Sequence, residues 1–164
     1  MKQLKDERKG FENLNPVWRS IGDYMRKSII KRFDKAEAPD GTPWEPIKAP
    51  SETRLRREMR GRNVKRKGQM KPLNDTGALR RSIHYFPSVN SVIIGTRLKY
   101  APVHQFGADI KVTPKMRAYL HSQGIHLRKS TNEIHIPARP FIGASLEDIQ
   151  VVRDIVRKYV MRNL

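Results

Sequence analysis

Cysteine is absent from this chain of 164 residues. That excludes disulfides, thiol nucleophiles and cysteine-ligated zinc or iron-sulfur sites, and it is what assembly in a reducing cytoplasm predicts. Long apolar runs are missing too. No stretch approaches the roughly 20 residues that a membrane helix needs, and the opening MKQLKDERKG holds no apolar stretch of the signal-peptide kind. The expectation is a soluble, unsecreted protein with no membrane partner. Aromatic residues are sparse at 7%, and hydrophobic residues reach 37%, enough for one modest core. Acidic side chains are few against their counterparts, 16 Asp+Glu facing 34 Lys+Arg for a formal charge of +18. Such an excess attracts polyanions, whether nucleic acid, acidic protein faces or anionic membrane.

Reactive constellations are equally thin. His104 sits in YAPVHQFG, where a histidine is the usual suspect for acid-base work. Its nearest acid in sequence is Asp109, and no GxSxG, HExxH or paired-carboxylate spacing accompanies it, so a packed or hydrogen-bonded histidine is the favoured reading. His121, His126 and His135 lack the four-residue spacing of a helical metal pair, and Glu133 and Asp109 are not arranged around them in sequence. Gly61, Gly68 and Gly77 form no phosphate-cradling loop. The triplet Asp75-Thr76-Gly77 resembles that of aspartic proteases, but Arg80 and Arg81 directly after Leu79 point to a capped helix instead. The reading is therefore no enzyme, no cofactor and no metal.

What is there in abundance is basic charge between Trp44 and Leu73. Residues 53–71 carry nine basic side chains and one acidic, which predicts a mobile basic loop. Its candidate polyanion contacts are Arg54, Arg56, Arg57 and Arg60, followed by Arg62, Lys65, Arg66 and Lys67. No aromatic lies between Trp44 and Tyr85, so base stacking has no platform there. A solvated face, or one docking a partner, is at least as well supported as one gripping DNA.

Around that loop the periodicities predict one α+β domain over residues 15–164, preceded by a flexible charged arm over residues 1–14. Asn15 as cap and Pro16 in the first turn start a helix to about Phe33, with Val17, Ile21, Met25 and Ile29 on one stripe. Asp40-Gly41 marks a turn in a loop anchored by Trp44. Asp75 or Asn74 caps a helix over residues 76–84 that turns Leu79 and Ile83 inward. A hairpin follows, from Tyr85-Phe86 to Val92-Ile93-Ile94-Gly95, its second strand apolar enough to be central. Residues 101–106 read as a short helix, Ile110 and Val112 as a strand, and residues 115–121 as a helix inside a β-rich excursion. Residues 133–136 alternate as an edge strand before IPARPFIG, and Ser145 with Asp148 resembles a capping box. It opens a last helix carrying Leu146, Ile149, Val152, Ile155, Val156 and Tyr159. Terminal helices packed on a small antiparallel sheet make the fold α+β.

Taken in order, PDGTPWEPI, LNDTGALRRSI, VIIGT, YAPVHQFG and IPARPFIGAS, with a terminal amphipathic helix behind them, resemble the phage virion morphogenesis family from about Pro16 to Leu164. Its members are tail-completion or neck proteins of Mu-like and related contractile-tailed phages. The resemblance implies a non-enzymatic virion protein, acting from the host cytoplasm when the tail is finished and joined to the head. Implied partners are copies of itself in a hexameric ring, and tube, terminator, sheath or connector proteins. Genomic DNA in the neck channel is a further implied partner. The matching positions are Asp40, Gly41, Trp44, Leu73, Asp75, Thr76, Gly77, Leu79, Arg80 and Ser82. Farther along they are Gly95, Tyr100, His104, Gln105, Phe106, Gly107, Pro137, Arg139, Pro140, Phe141 and Gly143. The long arginine-rich link between Trp44 and Leu73 departs from the family pattern. By their chemistry, Trp44, Asp75, Gly77, Phe106 and Gly107 are expected to anchor the fold, with Phe106 packed inward. Arg139, Phe141, His104, Gln105 and Arg80 are expected at a subunit or partner interface, Arg139 in a salt bridge to a neighbour's carboxylate.

Overall fold

The computed structural model describes residues 14–47, 71–74, 76–122 and 125–162. The expected arm up to residue 13, Asp75, and the basic segment with Arg54, Arg56, Arg57, Arg60, Arg62, Lys65, Arg66 and Lys67 lie outside the described residues.

Helix α1, Asn15–Lys35, is the axis of the molecule. Proline in its first turn gives up an amide that had no helical partner, and the i, i+4 series Val17, Ile21, Met25, Ile29 and Phe33 is buried along one side. Leu14, not Asn15, is the N-cap, and no side chain caps it; Asn15 Oδ1 instead accepts from Arg19 Nε at 3.4 Å. The helix ends where Ala36 turns left-handed at φ 58° and donates back to the Arg32 carbonyl at 2.7 Å. Its first half packs against Val92 and Ile94 on one element and Val152, Ile155 and Tyr159 on another. Its second half, Ile29 and Phe33, joins Trp44, Leu79, Ile83 and Phe141 in the main core. Each fully buried side chain of that size contributes about 1.5–3 kcal/mol.

After α1 the chain doubles back. Thr42 donates its amide to Asp40 Oδ1 at 2.9 Å, Gly41 takes φ +84°, and the Trp44 amide reaches the Ala36 carbonyl at 2.8 Å. This delivers the Trp44 indole to Phe33, ring centroids 5.5 Å apart and nearly perpendicular.

Helix α2 is one turn, Ala78–Arg81, shorter than expected. Gly77, left-handed at φ 69°, is its N-cap in place of Asn74, and the chain is already extended by His84 because strand β1, His84–Pro87, begins there. Strand β2, Val92–Gly95, pairs antiparallel with β1, Phe86 opposite Ile93 and His84 opposite Gly95. The hairpin lies on α1 through Gly22: a Cβ there would sit 2.3 Å from the Tyr85 ring, so a mid-helix glycine makes room for an aromatic. Arg26 Nε also donates to the Ile83 carbonyl at 2.8 Å.

The expected single sheet is split in two. Among the described residues β2 has β1 alone beside it, and the second ribbon joins β3, Ala108–Lys111, to β4, Glu133–Ile136. Between α3, Ala101–Phe106, and β3 stands Gly107; between the strands of the second ribbon runs α4, Pro114–Ser122. Helix α5, Leu146–Arg162, closes the fold against α1. The capping box is present, Ser145 N donating to Asp148 Oδ2 at 2.8 Å and Asp148 N to Ser145 Oγ at 3.0 Å. Only part of the expected apolar face turns inward. Val152, Ile155 and Tyr159 do, whereas Leu146, Ile149 and Val156 stay exposed, because α1 covers one stripe of the helix and these three fall outside it.

Candidate functional site

Residues 138–143 have no regular secondary structure and yet cross the main core, Phe141 being fully buried. Peptide groups in such a place need partners from outside their own segment. Four residues from three parts of the chain supply them. Gln105, on α3, accepts at Oε1 from the Phe141 and Ile142 amides, both at 3.0 Å, and donates from Nε2 to the Ile142 carbonyl at 2.9 Å. The His104 carbonyl accepts the Arg139 amide at 2.7 Å. Trp44 Nε1 donates to the Pro140 carbonyl at 2.9 Å. Arg32, from α1, reaches the Phe141 and Gly143 carbonyls at 3.1 and 2.7 Å with one nitrogen and Asp148 Oδ2 with the other.

That Arg32–Asp148 pair is nearly sealed from water. Burial pushes the Asp148 carboxyl up, but hydrogen bonds from Ser28 and from the backbone and hydroxyl of Ser145, with the Arg32 charge, together hold it below the usual carboxylate range. One ion pair thus joins α1, the 138–143 strap and the start of α5. Close packing completes the strap. Gly107 takes φ +76°, and a Cβ there would lie 2.9 Å from the Ala138 nitrogen; a Cβ on Gly143 would lie 2.7 Å from Pro39 Cγ.

Several expected interface residues therefore face inward. Phe141 is core, its ring 5.5 Å from Phe33. Arg139 is buried and its Nε donates to the Glu45 carbonyl at 2.9 Å, within the chain rather than toward a neighbour's carboxylate. Arg80 meets the Asp34 carboxylate with both terminal nitrogens at 2.8 Å, half in solvent. Phe106 is the reverse case: 78% exposed, it does not pack inward, because α3 turns Ala101 to the core and ends at Gly107 with Phe106 on the outside. Gly95 needs no special backbone, having no left-handed φ.

His104 stands beside the strap with one ring nitrogen inside the protein. Its Nδ1 is buried without a hydrogen-bond partner among the described residues, and burial, then the Arg139 charge, hold the imidazole below its ordinary pKa. Tyr100 lies edge-on to it at 5.8 Å. Asp109, the acid nearest in sequence, pairs with His135 instead, at 2.5 Å across the β3–β4 ribbon. The His121 and His126 rings contact each other at 4.5 Å, and no group of three or more potential metal-ligating side chains occurs among the described residues.

Arg32 is the site residue that sequence reasoning passed over. Its signal was present: it stands three residues after Ile29, a charge inside an apolar stripe. The spacing of Ser145 and Asp148 announces a cap alone, and nothing local announces that the Asp148 carboxylate also meets an arginine 116 positions away.

The strap draws on the same stretches that carry the sequence resemblance, and comparison with known proteins agrees with it. The chain is 30% identical to tail completion protein S of Escherichia phage P2 over 171 aligned positions, covering 98% of this chain and 97% of that one. No solved structure matches. The profile of the phage virion morphogenesis family matches residues 1–161, and the chain belongs to that family.

Proposed function

We propose that the protein is a non-enzymatic structural component of a phage tail, assembling as a closed hexameric ring at the head-proximal end, where it completes the tail and takes part in joining it to the head. The family and the P2 relative support the tail role. The observation that carries the assembly reading is a division of labour among the side chains. Polar and indole side chains such as Gln105, Arg139 and Trp44 are used up inside one subunit, while large apolar side chains, Leu146 at 87%, Phe106 at 78% and Val89 at 74%, remain in solvent. Exposed apolar surface on a stable subunit marks contact with other proteins. A ring requires two different faces per subunit, each meeting the other on a neighbour. Unpaired among the described residues, the edges of the β3–β4 ribbon offer backbone donors and acceptors to tube, terminator or connector proteins.

The test is electron microscopy of particles made without this protein. Filled heads and unjoined tails, restored by the protein in trans, are expected; infectious virus formed in its absence overturns the reading. The charge of +18 favours a second reading, contact with DNA in the neck through the basic segment from Arg54 to Lys67. Retention of the purified protein on random duplex DNA at near-physiological salt supports it, and loss of retention with tail binding intact removes it.

A further inference from the structure

The β1–β2 hairpin lies on α1 with one face and, among the described residues, leaves the other uncovered. Phe86 and Ile93 stand opposite each other on that outer face, 47% and 64% exposed. Gly95 lies two residues beyond Ile93. Its backbone is not left-handed, and a Cβ added there meets nothing within 4 Å. Other residues would fit that backbone, so what glycine contributes is space. The result is an open cavity of about 180 Å³, bordered by Ser82, His84, Phe86, Ile93 and Arg97. Arg97 lies over the Phe86 ring, 5.7 Å from its centroid, and puts a positive charge at the rim. Such a groove fits an apolar side chain followed closely by a carboxylate.

The chain presents that combination itself. Leu146, the first residue of α5, is 87% exposed, and Glu147 beside it is an exposed acid in a strongly basic chain. Ile149, one turn along, is also exposed and widens the apolar knob. The Ser145–Asp148 capping box and the Arg32 pair fix the backbone from which Leu146 projects, so little ordering is left to be done on docking.

We propose that Leu146 of one copy seats in the Phe86–Ile93–Gly95 groove of the next, with Glu147 against Arg97. The knob and the groove are different surfaces of one chain, so the contact is heterologous and repeats from copy to copy. It rests on the ring reading above and names the surfaces that would build the ring.

The natural absence of cysteine makes the test direct. In the full chain, Ile93→Cys with Leu146→Cys is expected to give a ladder of covalent oligomers under mild oxidation, while mixing the two single variants is expected to stop at covalent dimers. Gly95→Val fills the groove and is expected to shift the sedimenting mass toward monomer at concentrations where wild type is oligomeric, with the circular dichroism spectrum unchanged. Arg97→Glu and Glu147→Arg are each expected to weaken association, and the double exchange to restore it. Absence of the ladder, with wild type still oligomeric, overturns this contact and leaves the ring reading standing. A wild type that stays monomeric at every concentration overturns both.

Discussion

The 138–143 strap and the β3–α4–β4 excursion meet at one glycine, Gly107, and are held by opposite means. The strap is irregular and crosses the core, so its peptide groups depend on Gln105, Trp44, Arg32 and the His104 carbonyl. The excursion satisfies most of its own backbone through a four-pair ladder and a helix, and no described residue of α4 is fully buried. Its side-chain staples are the Asp109–His135 pair across the ribbon and Arg117, which donates to the carbonyls of Leu127, Arg128 and Thr131. Polar residues in the strap's shell are therefore there because an irregular buried segment cannot satisfy itself. The excursion carries no such debt, and side chains such as Tyr119, 64% exposed, remain open to a neighbour.

The contrast breaks most easily at the ion pair. Asp148→Ala leaves the Arg32 guanidinium buried without its carboxylate, and a loss of about 3–5 kcal/mol is expected in urea unfolding. Replacing both residues, Arg32→Met with Asp148→Leu, is expected to lose less than Asp148→Ala, because no uncompensated charge remains. Gln105→Leu strands the Phe141 and Ile142 amides and is expected to cost about 1–3 kcal/mol in the same measurement. Gly107→Ala combines a left-handed φ with contact against Ala138 and is also expected to cost about 1–3 kcal/mol. Gly41→Ala, left-handed but with open space around it, is expected to cost less than Gly107→Ala.

In the excursion the expected change is local. Arg117→Ala is expected to speed amide exchange over residues 125–131 while global stability moves by less than about 1 kcal/mol. A global loss equal to that of Asp148→Ala would mean that strap and excursion unfold as one unit, against the contrast. The smallest effect is on pH. Because folding lowers the His104 pKa, the folded state resists protonation there. This contribution is intact above the ordinary value of 6.5, and stability falls as pH drops from there through the lowered folded value. His104→Gln is expected to flatten that part of the stability profile measured by thermal melts.

Much of the local structure was legible. The Val17 to Ile29 stripe, the Asp40-Gly41 turn, the hairpin and the Ser145–Asp148 box announce themselves through spacings of a few residues, the range over which backbone geometry is set. The faces were less legible. Leu146, Ile149 and Val156 share a helix with Val152 and Ile155, and hydrophobicity alone does not say which stripe a neighbouring helix will cover. Phe106 likewise looked like an anchor, because aromatic type is visible in sequence and the direction set by α3 and Gly107 is not.

By itself the sequence determined the element types, the α+β class, the basic charge and the family. Only the tertiary structure decided that the small sheet is two ribbons, that Arg139 and Phe141 belong to the inside, and that Arg32 is the keystone. The physical reason is range: helices, turns and caps are settled among near neighbours, whereas the Arg32 contacts join residues 109 to 116 positions apart, whose meeting depends on how every intervening element packs.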